Sequence, residues 1–171
     1  MLEYHKAGQG DSIQNVFGNL AYLLTFDTLN NFIAVKNTKS STFEMKLMKN
    51  EQGMPFIGII RSVCAPICQS SIEFYDTAWN KIPLQFIMPK AIQWVNKEKL
   101  AASTDLDKTW VEKALENTFV SLQFDAKNQF IIATNNSVEF LSVEDRKVIS
   151  PLLNEQPITF QLRDRAWVQK P

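Results

Sequence analysis

Between residues 20 and 76 the chain alternates apolar and polar residues in short runs closed by turn formers, a pattern that admits extended strands folded back and forth. Residues 22–26, 32–37, 42–48, 56–63 and 71–75 are predicted strands, so the first 80 or so residues read as an antiparallel meander. In the third of these, Phe43, Met45 and Leu47 alternate with the charged Glu44 and Lys46, which predicts a buried apolar face and a wet charged one. Ile57, Ile59 and Ile60 are packed more densely, as expected of a strand in the middle of a sheet.

After residue 80 the pattern changes. Pro83 and Pro89 bracket an apolar piece, and Ala91, Ile92, Trp94 and Val95 predict a short helix or an irregular crossover. Asp107 is placed to cap a helix in which Trp110, Val111, Ala114 and Leu115 share one face. Residues 119–124 and 130–134 read as a hairpin. Ser142 and Asp145 resemble a capping box ahead of a helix that Pro151 kinks, and residues 158–168 read as a closing strand. The expected fold is α+β, mostly antiparallel sheet with two or three helices. Its 171 residues suit a single domain over 21–171, behind a loosely ordered lead-in over 1–20 where Gly8, Gly10 and Gly18 cluster.

One internal similarity bears on architecture. Leu24, Phe26, Asp27, Asn30, Phe32 and Ile33 recur in register as Leu122, Phe124, Asp125, Asn128, Phe130 and Ile131, and Asn50-Glu51-Gln52 before Phe56 is echoed by Asn154-Glu155-Gln156 before Phe160. Two related β-rich halves, about 21–80 and 118–171, would produce this. Two unrelated hairpins sharing Asp and Asn turn chemistry would also produce it.

Composition narrows function mainly by exclusion. Lys plus Arg and Asp plus Glu number 18 each, which removes the positive field of a nucleic-acid binder. No apolar run approaches the length of a membrane span. His5 is the single histidine, and the sequence holds no G-x-S-x-G, H-E-x-x-H, G-x-x-x-x-G-K-[ST] or G-x-G-x-x-G, so no catalytic residue, metal site or cofactor is expected. Asp27 and Asp125 could pair as acid and base, yet each is better explained as a turn residue. Arg163, Asp164 and Arg165, or the 144–147 charge run, read as solvated faces. Trp79, Trp94 and Trp167 lie in turns, the crossover or near the end, where a ring either packs or stands exposed as a binding platform. Asn135-Asn136-Ser137 matches the N-glycosylation pattern, which short sequences often meet by chance. Cys64 and Cys68 can close a local disulfide through the Pro66 turn, remain buried thiols, or serve redox chemistry, for which the spacing is one residue too long.

The run from Arg61 to Trp79, with its Cys64-Ala65-Pro66-Ile67-Cys68 turn followed by Ser71-Ile72-Glu73-Phe74-Tyr75, resembles the uncharacterised Bacteroidales family labelled domain of unknown function 3256. The stretches 41–47, 140–146 and 157–160 are similar to it as well, so the resemblance spans nearly the whole chain. It implies an exported, periplasmic or cell-surface protein, although the signal sequence usual in the family is not in this chain. An oxidising compartment favours a bridge between Cys64 and Cys68. The resemblance supplies no catalytic residue. For exported proteins of such bacteria it also makes Ser12, Thr28 and Thr77, each within an Asp-Ser/Thr-aliphatic triad, candidate O-glycosylation acceptors. The leading expectation is a non-enzymatic cell-envelope protein that binds a protein partner or a surface glycan. The alternative is a thiol-disulfide enzyme centred on Cys64 and Cys68.

Overall fold

A computed structural model describes residues 1–16 and 18–170. Its ten strands form two antiparallel sheets, as the alternation requires. The first is a six-stranded meander in chain order: β1 (Ser12–Gln14), β2 (Leu20–Asp27), β3 (Phe32–Thr38), β4 (Ser41–Lys49), β5 (Pro55–Cys64) and β6 (Cys68–Tyr75). The isoleucine-rich β5 is interior but next to last, between β4 and β6. The second sheet has the order β10-β9-β8-β7, from β7 (Val120–Phe124), β8 (Phe130–Asn135), β9 (Ile158–Arg163) and β10 (Ala166–Gln169). The expected closing strand is therefore a hairpin. Asp164 and Arg165 turn it in left-handed conformations, φ 47° and 67°, which short turns impose even on residues other than glycine.

Four short helices complete the α+β fold: α1 (Leu2–Lys6), α2 (Lys97–Ala102), α3 (Lys108–Ala114) and α4 (Val143–Ile149). Asp107 and Ser142 cap α3 and α4, accepting hydrogen bonds from the backbone N–H groups of Thr109 and Asp145. Pro151 sits in a 3-10 turn that ends the second of these helices. The lead-in contributes α1 and β1, the latter paired with β2 through Ile13 and Ala21. Core residues from both sheets and the crossover, among them Ile60, Phe74, Trp94, Val111, Leu122, Ile131 and Ile149, form one buried cluster.

The two sheets meet in an unusual way. Strand β7 is an edge, and its outward N–H groups would be orphaned when buried. Side chains of the first sheet take them instead: Leu122 N–H donates to Ser70 Oγ and Phe124 N–H to Glu44 Oε2, each at 2.8 Å. Lys46, only 3% exposed, donates from Nζ to the Ala126 carbonyl at 2.6 Å and to the Asn30 carbonyl at 3.4 Å. Beside them Gly58 leaves room where a Cβ would come within 2.7 Å of the Phe124 ring. Glu44 and Lys46 therefore face the core, and Phe43, Met45 and Leu47 face outward, the reverse of the alternation reading. The polar atoms go inward because an unpaired strand edge awaits them.

The similar segments 24–33 and 122–131 are both hairpins whose turns are held by Asp and Asn. Asp27 accepts from Asn30 N–H and Nδ2, and Asp125 accepts from Asn128 in the same way. A third turn, Asp76 to Asn80, is built on the same chemistry. Residues 50–52 lie between β4 and β5, whereas 154–156 lie between a 3-10 turn and β9. The two segments share strand–turn–strand form and turn chemistry, and a duplicated fold is not shown.

Candidate functional site

Strand register assembles the outer face of the first sheet row by row. Phe26, Ile33, Met45, Ile59 and Glu73 lie side by side across β2 to β6. The row on one side holds Leu23, Val35, Phe43, Arg61 and Ser71, and that on the other holds Leu47, Ile57 and Tyr75. Most of these side chains are half-buried, and Leu47 is 39% exposed. Over one part of this field lies a groove of about 340 Å³ lined by Phe26, Ile33, Met45, Ile57 and Trp79, with Leu2 of α1 at its border.

Trp79 is 57% exposed and holds φ at 66°, a conformation that bulky residues adopt only under strain. The turn enforces it. Asp76 Oδ1 accepts from the N–H groups of Ala78 and Asn80, and Trp79 N–H donates to the Asp76 carbonyl. The indole meets the Tyr75 ring at 6.1 Å between centroids.

A charged cluster borders the aromatic pair. Glu73 accepts from Arg61 at 2.7 Å, Lys81 at 2.8 Å and the Tyr75 hydroxyl at 3.0 Å. These hydrogen bonds, led by Lys81 and followed by Arg61 and Tyr75, hold the Glu73 carboxyl down at about 2. Lys81 is raised in turn by the same partner. Two exposed cations around one carboxylate leave the rim with a positive excess.

The other tryptophans are placed differently. Trp94 is 2% exposed and Trp167 5% exposed, the latter stacked on Phe74 in the core. Neither ring is presented at the surface as a platform, for each fills space between layers. Ser12, Thr28 and Thr77 are all exposed, on β1, in the β2–β3 turn and in the Trp79 turn. In the N-glycosylation pattern the Asn135 Nδ2 is buried, so the amide that would carry sugar is out of reach. His5 contacts Asp11 and the edge of the Phe26 ring. Asp27 and Asp125 are committed to their own turns, and each is held below the usual carboxylate range, first by its Asn side chain. Among the described residues, no group of three His, Cys, Asp or Glu is close enough to hold a metal, and no helix is long and apolar enough to cross a membrane.

Cys64 and Cys68 form a disulfide across the mouth of the β5–β6 hairpin, with Cα atoms 3.9 Å apart. Asn136 Nδ2 donates to the Cys68 carbonyl and the Ser121 hydroxyl, tying this hairpin end to the second sheet. Arg61, the near cation, is engaged with Glu73. Sequence reasoning named Trp79 as a candidate and missed the groove beneath it. Its signal was present in the apolar residues on both faces of β3 to β5, more than one core needs.

Against known proteins, the family model described as "Protein of unknown function (DUF3256)" matches residues 1–167. A solved domain of an uncharacterised protein from Porphyromonas gingivalis W83 superposes with a TM-score of 0.78 at 15% identity, covering 97% of this chain and 84% of that one. At that identity the likeness speaks for the fold alone. No curated protein matches the chain.

Proposed function

From the premise that the chain belongs to the DUF3256 family of proteins of unknown function, we propose that it is a non-catalytic, exported cell-envelope binding module that docks a protein partner on the outer face of its first sheet. The observation that carries this reading is Trp79, held exposed in a strained turn over an apolar groove on the outer face of the first sheet. Strain of this kind costs on the order of 1–3 kcal/mol and persists where the surroundings impose it.

The composition of the face favours a protein as occupant. Aromatic, methionine and arginine side chains are the residues enriched in protein interfaces, with polar groups at the rim. Here Trp79, Tyr75, Met45 and Phe26 form the centre, and Arg61, Lys81 and Glu73 form the rim. The positive excess at that rim suits a partner segment that is apolar with an acidic flank. Export is supported by the Cys64–Cys68 bridge, since disulfides persist in oxidising compartments. The thiol-enzyme alternative has less support: a reactive cysteine needs a helix N-terminus or a free cation nearby, and these two lie on strands beside an engaged arginine.

A photo-crosslinking amino acid at position 79, expressed in the native host, tests the reading, with Lys147 on α4 as the control position. The expected result is a discrete protein adduct from position 79 that disappears when Met45→Asp and Ile57→Asp are added. Identical adducts from both positions, or none from position 79, would overturn it.

A further inference from the structure

A second cleft, of about 760 Å³, lies where the 3-10 turn 91–94 and the start of α2 meet the loop before β9 and the end of β10. We propose that this cleft binds a neutral oligosaccharide. The proposal rests on the reading of the chain as a binding module and adds a site built from other residues.

Its frame is rigid. Val95 and Leu153 form an isolated antiparallel bridge, Asn96 N–H donates to the Leu152 carbonyl and Asn154 N–H to the Trp94 carbonyl, both at 2.8 Å. This backbone ladder sets Asn96 beside Asn154, and Asn96 Nδ2 donates to Asn154 Oδ1 at 3.2 Å. Asn96 is itself fixed, because its Oδ1 caps α2 through the N–H groups of Glu98 and Lys99. With its oxygen engaged, Asn154 keeps its amide hydrogens for a ligand. Gln93 is similar, its Oε1 accepting from Lys90 N–H. Gln156 and Gln169 are exposed along the same wall.

The chemistry of this lining selects the ligand class. An amide both donates and accepts, as a sugar hydroxyl does, so a ring of Asn and Gln matches a polyhydroxylated molecule without a net charge. Two cations line the cleft: Lys99 Nζ donates to the Pro151 carbonyl at 3.0 Å, and Lys170 Nζ lies 4.6 Å from the centre of the Phe130 ring. The carboxylate of Glu155 shares the lining and disfavours a phosphate or sulfate there. An apolar ligand would leave the amides unpaired, at a cost in desolvation. Pro151 and Pro157 add flat apolar patches suited to the C–H face of a pyranose ring. The volume falls within the range of ordinary ligand sites, roughly 300–1,000 Å³, and holds several sugar rings.

The test is a glycan array of neutral hexose, deoxyhexose and N-acetylhexosamine oligosaccharides beside sulfated and sialylated ones, followed by calorimetry on the best binder. The wild-type protein is expected to bind neutral members. Asn154→Ala and Gln169→Ala should each weaken binding roughly tenfold or more, consistent with lost hydrogen bonds in a desolvated site. Trp79→Ala should leave sugar binding unchanged, which separates this site from the partner surface. Gln169 is exposed, so its variant keeps the test valid if Asn154→Ala unfolds. A blank array, binding confined to acidic glycans, or wild-type affinity in Gln169→Ala would overturn the proposal while leaving the cross-linking result to decide the partner reading.

Discussion

The inner face of the six-stranded sheet sets Glu44, Lys46 and Ser70 among its buried apolar residues, while the outer face of the same strands sets Arg61 and Glu73 at the border of an apolar field. The inner polar side chains each meet a backbone group of the second sheet or its turn: Glu44 the Phe124 N–H, Lys46 the Ala126 carbonyl and Ser70 the Leu122 N–H. The outer apolar residues meet one another, the rim and, at one border, Leu2 and His5 of α1. Burial thus follows the needs of an unpaired strand edge on one side, and on the other side apolar area is left over. A face that costs solubility and adds little to the fold is where binding is expected.

Substitutions at four positions would sharpen this contrast. The largest effect is expected from Gly58→Val, because a Cβ there lies 2.5 Å from Met48 Cε and 2.7 Å from Phe124 Cζ. Overpacking at this junction should cost about 3 kcal/mol in urea unfolding, and wild-type stability would show that the sheets slide apart freely. Next is Glu44→Ala, which orphans the Phe124 N–H and should cost about 2 kcal/mol. Glu44→Gln keeps an acceptor and should cost less. Burial raises the Glu44 pKa above its ordinary 4.5, so the folded state holds its proton more tightly than the unfolded chain. Its contribution to stability is therefore greatest below 4.5 and declines as pH rises through the raised value, a slope that Glu44→Gln should remove in melts run from pH 4.5 upward.

Smaller still is the effect expected outside. Ile57→Ser on the open face should cost on the order of 1 kcal/mol because its side chain is already half-exposed to water. A loss matching that of Glu44→Ala would mean that the outer face also serves the core. The rim gives the least change at neutral pH. The Glu73 carboxyl is lowered from 4.5 to about 2, so its contribution is complete above 4.5 and is lost as pH falls toward about 2. Glu73→Gln should erase that acid limb by lowering the neutral melting temperature, and only slightly, because solvent screens this surface cluster.

Much of the architecture was legible in the sequence because period-two alternation and Asp, Asn and Ser at turns are local signals. The strands from β2 to β8, the caps Asp107 and Ser142, and the crossover all follow from neighbours in sequence. The assignment of faces was not legible. Whether Lys46 points inward depends on Ala126, 80 residues away, and no pattern within β4 carries that information. The closing hairpin was hidden because Arg163-Asp164-Arg165 lacks a turn glycine, and left-handed Asp164 and Arg165 supply the bend. For the candidate site, Trp79 was legible as a ring in a turn. The groove beneath it required the register of four strands. Trp94 and Trp167 carry the same local signal and are buried, which shows that an aromatic in an irregular segment does not by itself mark a surface.

The most direct test compares two neighbours on β4, Met45 and Lys46, each truncated to alanine and unfolded in urea. The account places Lys46 inside, bonded to carbonyls of both sheets' turns, and Met45 outside in the groove. It predicts a loss of about 2–4 kcal/mol for Lys46→Ala and less than half of that for Met45→Ala. The reverse order, with Met45→Ala the more damaging, would contradict it.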